Sequence, residues 1–418
     1  MVIFKQMPND LSHVGGIITE QPQTPLSHVN LKAKQNHTPN GYLKDASTDP
    51  RVAPFIGKLV RYEITADGPI IKEATKAEAD ACFEQVRPKT GATPPRSLTE
   101  KHPRKLSDMG FADVKTFGAK AANVAELNKI LPAGVVPDGC ALPFSFYDRF
   151  MKATGLYDEA KAMIADPEFK NDSAVREKAL EAFRKKVKKA TMPPALAAEI
   201  SGVQQAMLAK YGPDQPIRAR SSTNNEDLPG FNGAGLYDSF THRSDEGALD
   251  KTVKQVFSSL WNFRAYEERD FYRIDHFKTA MGVLLHPNED DEKANGVAYT
   301  KNIYDPNWPG LYVNAQVGEN LVTNPGNNAS PEEFLISRIG EHGEYETQYI
   351  SRSNQIEDGK NVIDPAKIPP LVGHLEAIQK HFQQLYGRQG DKTFAMDVEF
   401  KIRDDGSLQI KQARPTVD

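Results

Sequence analysis

Near the end of the chain, Phe394 to Ile402 alternates apolar and polar residues, Asp405-Gly406 follows, and Leu408 to Arg414 returns. Alternation at period two is a strand signal, and Asp-Gly between two such runs signals a tight hairpin. A two-residue turn at Asp405-Gly406 sets Glu399 opposite Gln412 and Asp397 opposite Arg414. Directly opposed residues share a sheet face. One face then carries two carboxylates, an amide oxygen and a guanidinium. Hard oxygens beside a cation suit a magnesium ion with phosphate; a solvated face with an ordinary ion pair fits the same pattern. Two further segments carry phosphate chemistry. Arg218 to Asp227 offers guanidinium and hydroxyl groups, and Pro229 to Asp238 a glycine-bearing loop. Arginine donates two parallel hydrogen bonds to phosphate, and glycines let backbone N–H groups approach it. Taken alone, the glycines read equally as a surface loop. Lys120 sits at the start of a helical run, Val124 to Ile130. A cation there opposes the helix dipole unless an anion is present; a solvated lysine is the plainer alternative.

These groups need elements to position them. Strand patterns fall at Val2–Phe4, Gly16–Thr19 and Lys58–Ile64, with a helix from Leu26 to Gln35 entered through Thr24-Pro25. Residues 1–80 therefore read as a small α/β domain. Residues 81–106 hold Pro88, Pro94, Pro95 and Pro103 in a polar stretch without apolar periodicity, the pattern of an extended linker. Beyond it, amphipathic stripes run through Val175, Leu180, Phe183 and Val187, and through Leu196, Ile200, Val203 and Met207. Others span Leu249 to Trp261 and Leu371 to Leu385, the last closed by Gly387. Strands are expected at Lys278–Leu285, Gly296–Thr300 and Leu311–Val317. The stripes read as core packing.

Composition bounds the function. Of 418 residues, 39% are hydrophobic and 26% charged, with a net charge of −4. That suits globular domains and supplies no bulk field for nucleic acid or an anionic membrane. Two cysteines, Cys82 and Cys140, exclude a disulfide framework and a four-cysteine zinc site. No apolar run reaches membrane-spanning length, and the first residues lack a secretory-signal layout. The expected setting is cytoplasmic.

In order along the chain, six segments resemble the nucleotide-binding domain of the phosphoenolpyruvate synthase and pyruvate phosphate dikinase family, an ATP-grasp fold. They are FGAKAANVAEL (117–127), VPDGCALPFSFYDRF (136–150), the whole of 217–240, SSLWNF to LLHP (258–287), NGVAYTKN (295–302) and DVEFKIRDDGSLQIKQARP (397–415). The resemblance implies an α/β (α+β) fold in which residues 107–418 form a two-lobed ATP-grasp domain, with lobes of about 107–240 and 241–418. It implies that Lys120, Arg220 and Ser221 hold ATP phosphates and that Glu399 and Gln412 bind Mg2+. Arg414 would contact the transferring phosphates, with Asp397 supporting it. Gly233 and Gly235 would belong to a lid over the triphosphate, and Met281 and Val283 to a strand beside adenine. Two departures stand out: Ala119 where a second glycine is usual, and Asn224-Asn225 in place of smaller residues.

Thr19 to Val29 resembles the family's swivelling phosphohistidine domain, with a Thr-x-x-Ser-His core ending at His28. Gln21-Pro22-Gln23 replaces the usual glycines, a variant closer to the alpha-glucan, water dikinases, where this domain also precedes the ATP domain. In the first helical turn, His28 would have a phosphoryl group stabilised by the helix end, and neutral imidazole is a competent nucleophile. The resemblance implies a dikinase-type phosphotransferase in which His28 takes phosphate from ATP, giving AMP and phosphate, and passes it on. The acceptor stays open between pyruvate, a glucan and another small hydroxyl compound. Its site is expected on a missing N-terminal region, a partner chain or the swivel domain's own surface. Two alternatives are an ATP-grasp ligase forming an acyl phosphate and an ATP-binding regulatory module without turnover. The remaining histidines, His286 among them, lack a motif context and read as structural.

Overall fold

The structure is a computed structural model. It describes the whole chain except residues 7–13, 24–26, 227, 229–230, 232, 234, 306–307, 320–321, 323–328, 340–343, 358 and 417–418, and the side chains at 28, 31, 32 and 35.

The first domain holds β1 (Val2–Phe4), β2 (Ile17–Thr19), α1 (His28–Gln35), β3 (Asn40–Tyr42), β4 (Val60–Thr65), β5 (Gly68–Glu73) and α2 (Lys76–Val86). Strands β1, β2 and β3 pair in parallel in that order. The antiparallel ribbon β4–β5 covers them, with Tyr62 donating its hydroxyl to the Ile17 carbonyl at 2.9 Å. Helix α2 starts at a capping box in which Thr75 and Glu78 satisfy each other's backbone N–H. It runs to Val86, so residues 81–86 of the expected linker are helical.

The linker leads into β6 (Arg104–Lys105), α3 (Val114–Phe117), α4 (Ala119–Ile130), β7 (Cys140–Leu142), α5 (Phe144–Ala153), α6 (Leu156–Ala165), α7 (Pro167–Asn171), α8 (Ser173–Lys189) and α9 (Pro194–Tyr211). Then come β8 (Ile217–Thr223), β9 (Phe240–His242), α10 (Asp250–Ser259), α11 (Phe263–Phe271), β10 (Met281–Pro287), β11 (Glu292–Tyr299), β12 (Leu311–Val317), β13 (Glu332–Ile339), β14 (Glu344–Ser351), α12 (Ile368–Leu385), β15 (Met396–Arg403) and β16 (Leu408–Pro415). They build two antiparallel sheets, ordered β6-β7-β10-β8-β9 and β14-β13-β12-β11-β15-β16.

Each sheet has its own core. The five-stranded sheet packs Ile217, Ala219, Met281 and Val283 against the apolar stripes of α5, α8, α9 and α10. Asp172 starts α8 by accepting from the Ala174 and Val175 N–H groups. The six-stranded sheet packs Val398, Phe400, Ile410 and Ala413 against α4 and the Leu371, Leu375, Ile378 and Phe382 face of α12. Burying each of the larger side chains among them contributes roughly 1.5–3 kcal/mol. Helix α12 ends where Gly387 turns left-handed, at φ 64°. The two cores corrects the expected lobe boundary at 240. Strand β10 with α10 and α11 belongs to the first sheet, α4 lies against the second, and the cores part between β10 and β11. The physical reason is that β10 completes its hydrogen bonding with β7 and β8. Among the described residues, no helix is long and apolar enough to cross a membrane.

Candidate active site

The two sheets face each other across a cavity of about 630 Å³. Its floor is the hairpin β15–β16, where Asp397 pairs with Arg414 and Glu399 with Gln412, as the sequence pattern predicts. The route to those pairs differs. The turn holds three residues, with Gly406 left-handed at φ 78° and its N–H donating to the Arg403 carbonyl at 2.8 Å. Close to the turn, Ile402 therefore faces Leu408 and Phe400 faces Ile410. A bulge opposite Glu399 then takes in one extra residue, Lys411, and restores the expected register. That bulge places a lysine in the cavity wall beside Gln412 and Arg414.

Arg220 closes the site from the opposite sheet. Along β8, Ile217 and Ala219 point into the core while Arg218 and Arg220 point into the cavity. Arg220 donates to the Gln412 side-chain oxygen at 2.7 Å, to the Lys411 carbonyl at 3.0 Å and to Glu399 Oε2 at 3.4 Å. The first and third of these oxygens converge on one guanidinium nitrogen. Beside them, Arg414 donates through two nitrogens to Asp397 Oδ2, at 3.0 and 2.7 Å. Asp397 Oδ1 is buried with no hydrogen-bond partner among the described residues.

The charges reinforce one another. Burial pushes the Glu399 carboxyl upward, but Arg220, Arg414, Lys411 and Lys120 hold it below its ordinary range, so it is ionised. Burial disfavours the charged form of Arg414, yet Asp397 and Glu399 raise its pKa overall. Burial lowers the Lys411 ammonium, and Glu399 offsets part of that. The donor set fits a magnesium ion. Glu399 and Gln412 present two hard oxygens from neighbouring strands, a partial shell that phosphate oxygens and water would complete. The Glu399 side chain is 37% exposed and so open to a ligand.

Lys120 enters from α4. Gly118 precedes that helix at φ 90°, where an added Cβ would lie 2.4 Å from Ser222 Oγ. This close approach lets the Ala121 N–H donate to Ser222 Oγ at 3.0 Å. Lys120 Nζ donates to the Ser221 carbonyl at 2.8 Å and pairs with Glu226 at 3.2 Å. The contribution of Ser221 is thus its backbone oxygen. Its hydroxyl points the other way and donates to the Tyr237 carbonyl at 3.4 Å. Gly233 and Gly235 lie on the loop beyond Glu226, with Gly235 left-handed at φ 69°. The Gly233 N–H donates to the Glu226 carbonyl at 2.9 Å, and Arg264 donates to the Gly235 carbonyl. Gly230 lies outside the described residues.

Met281 and Val283 are corrected by the register of β10. They pair with Thr223 and Ser221, on the core side of the sheet, and are fully buried among the first-lobe helices. The groups near that strand that reach the cavity are His286, Pro287 and Asn288. His286 is held neutral, its pKa pushed down to about 3 by burial and by Arg220. Sequence reasoning set His286 aside and missed Lys411. Arg218 had a signal, its spacing of two from Arg220. Lys411 had none, because a bulge leaves no mark in the alternation.

In the first domain, His28 opens α1; its side chain, and Thr24 to Leu26, lie outside the described residues. Ser27 caps the helix by accepting from the Asn30 N–H at 3.2 Å. The unusual Gln23 exchanges hydrogen bonds with Asn40 at 2.9 and 3.0 Å and donates to Thr19 at 3.0 Å, tying the segment before the histidine to β2 and β3.

Residues 114–417 match the family described as "Pyruvate phosphate dikinase, AMP/ATP-binding domain". The "Probable phosphoenolpyruvate synthase" of Methanocaldococcus jannaschii is 28% identical over 329 residues, covering 74% of this chain and 26% of that protein. The "Phosphoenolpyruvate synthase" of Pseudomonas aeruginosa is 26% identical over 339 residues, covering 74% and 41%. The chain thus spans between about a quarter and less than half of these relatives' length. Among solved structures, D-alanyl-alanine synthetase A from Vibrio cholerae aligns over 57% of this chain and 53% of its own, at 10% identity and a TM-score of 0.24.

Proposed function

The chain belongs to the pyruvate phosphate dikinase AMP/ATP-binding domain family, and from that premise we propose that it is an ATP-dependent phosphotransferase of the dikinase type. His28 is the relay. One observation carries the reading: Arg220, Glu399 and Gln412 converge from two sheets, with Arg414 beside them, in a cavity large enough for a nucleotide.

Arg220 and Lys120 are cations already held by groups that a phosphate can replace. Arg220 exchanges Gln412 and the Lys411 carbonyl for phosphate oxygens, and Lys120 exchanges Glu226. Arg414 keeps its grip on Asp397, which fixes the guanidinium plane while its outer edge meets the transferring group. Glu399 and Gln412 would hold magnesium, which would supply charge neutralisation on the phosphates. A ring nitrogen of His28 forms a bond to the β-phosphorus of ATP, and the bond from that phosphorus to the oxygen retained by AMP breaks. Loss of the terminal phosphoryl group to water releases phosphate, leaving one phosphoryl on histidine for the acceptor. The alternation of His28 between two partners gives the tethered first domain its purpose.

ATP labelled at the β position tests this. The expected result is acid-labile label on the protein, AMP as the nucleotide product and no label in His28→Ala. Formation of ADP alone, with an unlabelled protein, overturns the reading.

A further inference from the structure

The Asn224-Asn225 pair, a departure from the family pattern, is explained by what the side chains hold. Asn225 and Tyr237 exchange hydrogen bonds at 2.8 and 3.0 Å, bracing the two ends of the glycine loop. Asn224 looks outward to the tether. Buried to 7% exposure, it donates to the Pro95 carbonyl at 3.2 Å and the Lys278 carbonyl at 3.0 Å, and accepts from the Ala280 N–H at 2.8 Å. One amide thus joins the tether, the segment entering β10 and the end of β8.

Around it the tether is strapped down. Ala92 bridges Ile274, its N–H donating to the Arg273 carbonyl at 3.1 Å and its carbonyl accepting from Asp275 at 3.0 Å. Arg273 adopts a left-handed backbone, φ 52°, uncommon for a residue with a side chain. Gly91 passes so close that an added Cβ would lie 3.0 Å from the Arg273 carbonyl. Arg96 donates to the Phe277 carbonyl at 3.1 Å, and the Ser97 N–H to the Lys115 carbonyl at 2.6 Å. The proline-rich segment is therefore not a loose linker over its whole length. Between Arg87 and the anchored Ala92, only residues 88–91 are left to swing.

We propose that Asn224 is a positioning residue that fixes where the tether leaves the ATP-binding domain, and so sets the effective concentration of His28 at the nucleotide. The inference rests on the phosphohistidine reading. It acts through geometry, not through contact with ATP. If the strap peels back to Ser97, the swinging segment grows from residues 88–91 to residues 88–96, about a doubling. Where residues 88–91 already let His28 reach the nucleotide, effective concentration falls as about the three-halves power of length, so labelling of His28 within one chain slows about threefold.

The test compares labelling within a chain and between chains. In the first arm, the chain carrying Asn224→Ala and Arg96→Ala phosphorylates its own His28. In the second, a His28→Ala chain, with or without those two changes, phosphorylates a Glu399→Gln chain that keeps His28. The expected result is a loss of about threefold within the chain and no change between chains. Equal losses in both arms reveal a damaged ATP site and overturn the proposal, as does an unchanged rate within the chain. A second readout stands apart from the histidine. Amide deuterium uptake over residues 92–97 rises in Asn224→Ala while that of β15 and β16 does not. Unchanged uptake overturns the anchor whatever the labelling shows, whereas raised uptake in a protein that never takes label overturns the histidine relay.

Discussion

At the scale of single residues, the site depends on charges that hold one another in place. Glu399 is kept ionised by four cations although burial in the cavity wall disfavours its charge. In Glu399→Gln, AMP formation falls on the order of 10²–10³-fold, as when one group that stabilises transferring charge is removed. Calorimetry without magnesium still detects nucleotide, because Lys120, Arg220 and Arg414 remain; equal loss of binding and turnover contradicts the assignment. Arg414 and Asp397 form a buried pair, with side chains 15% and 7% exposed. Removing one partner leaves an uncompensated charge, so Arg414→Ala loses about 3 kcal/mol of stability in urea unfolding as well as its activity.

At the scale of elements, the site is only as good as its register. The bulge at Lys411 keeps Gln412 and Arg414 on the cavity face. Deleting Lys411 straightens the ladder and leaves Gln412 and Arg414 opposite Glu399 and Asp397, so calorimetry still detects nucleotide binding, as in Lys411→Ala; lost binding contradicts this register. Gly118 sits where a side chain meets the backbone of Ser222. Gly118→Ala costs more than about 1 kcal/mol in thermal unfolding and displaces Lys120. Helix α4 is also joined to α12, where Glu126 accepts from His381 at 2.9 Å and from the Phe111 N–H at 2.7 Å. Burial raises the Glu126 carboxyl, but Phe111, His381 and Lys129 bring it below its ordinary 4.5. A depressed folded pKa gives stability that is present above the unfolded value and lost as pH falls through the folded one. Wild type therefore loses stability on acidification below about pH 4.5 more steeply than Glu126→Gln, measured as the urea midpoint against pH. Much of this was legible in the sequence. The stripes of α8, α9, α10 and α12 follow helical periodicity, and the pairs Glu399–Gln412 and Asp397–Arg414 follow from alternation plus a turn. The three-residue turn and the bulge were not legible, since each shifts register by one residue and their effects cancel beyond Glu399. The facing of Met281 and Val283 was hidden for another reason. Strand β10 is buried on nearly every residue, so alternation could not say which side meets the cavity.

At the scale of the whole molecule, the proposed function has a small domain deliver one histidine to a fixed nucleotide site. In this structure that domain rests on the first lobe. Tyr272 donates to Asn36 at 2.5 Å, Arg87 pairs with Asp270 at 3.4 Å and Arg273 with Glu84 at 3.2 Å. Both ion pairs are solvent-exposed, and each contributes only about 0–1 kcal/mol. Contacts this weak suit a domain that must leave. In Tyr272→Phe the docked state loses the hydrogen bond to Asn36, and small-angle scattering shows a larger radius of gyration than wild type; an unchanged value contradicts a docking role. The first domain's proposed place in the reaction rests on its Thr-x-x-Ser-His resemblance, because no periodicity marks a nucleophile. The most direct measurement is mass spectrometry of ATP-treated protein, with fragmentation that preserves phosphohistidine. Phosphate is expected on His28, and none when Glu399 is replaced by glutamine. AMP accumulating while His28 stays unmodified would contradict the proposed function.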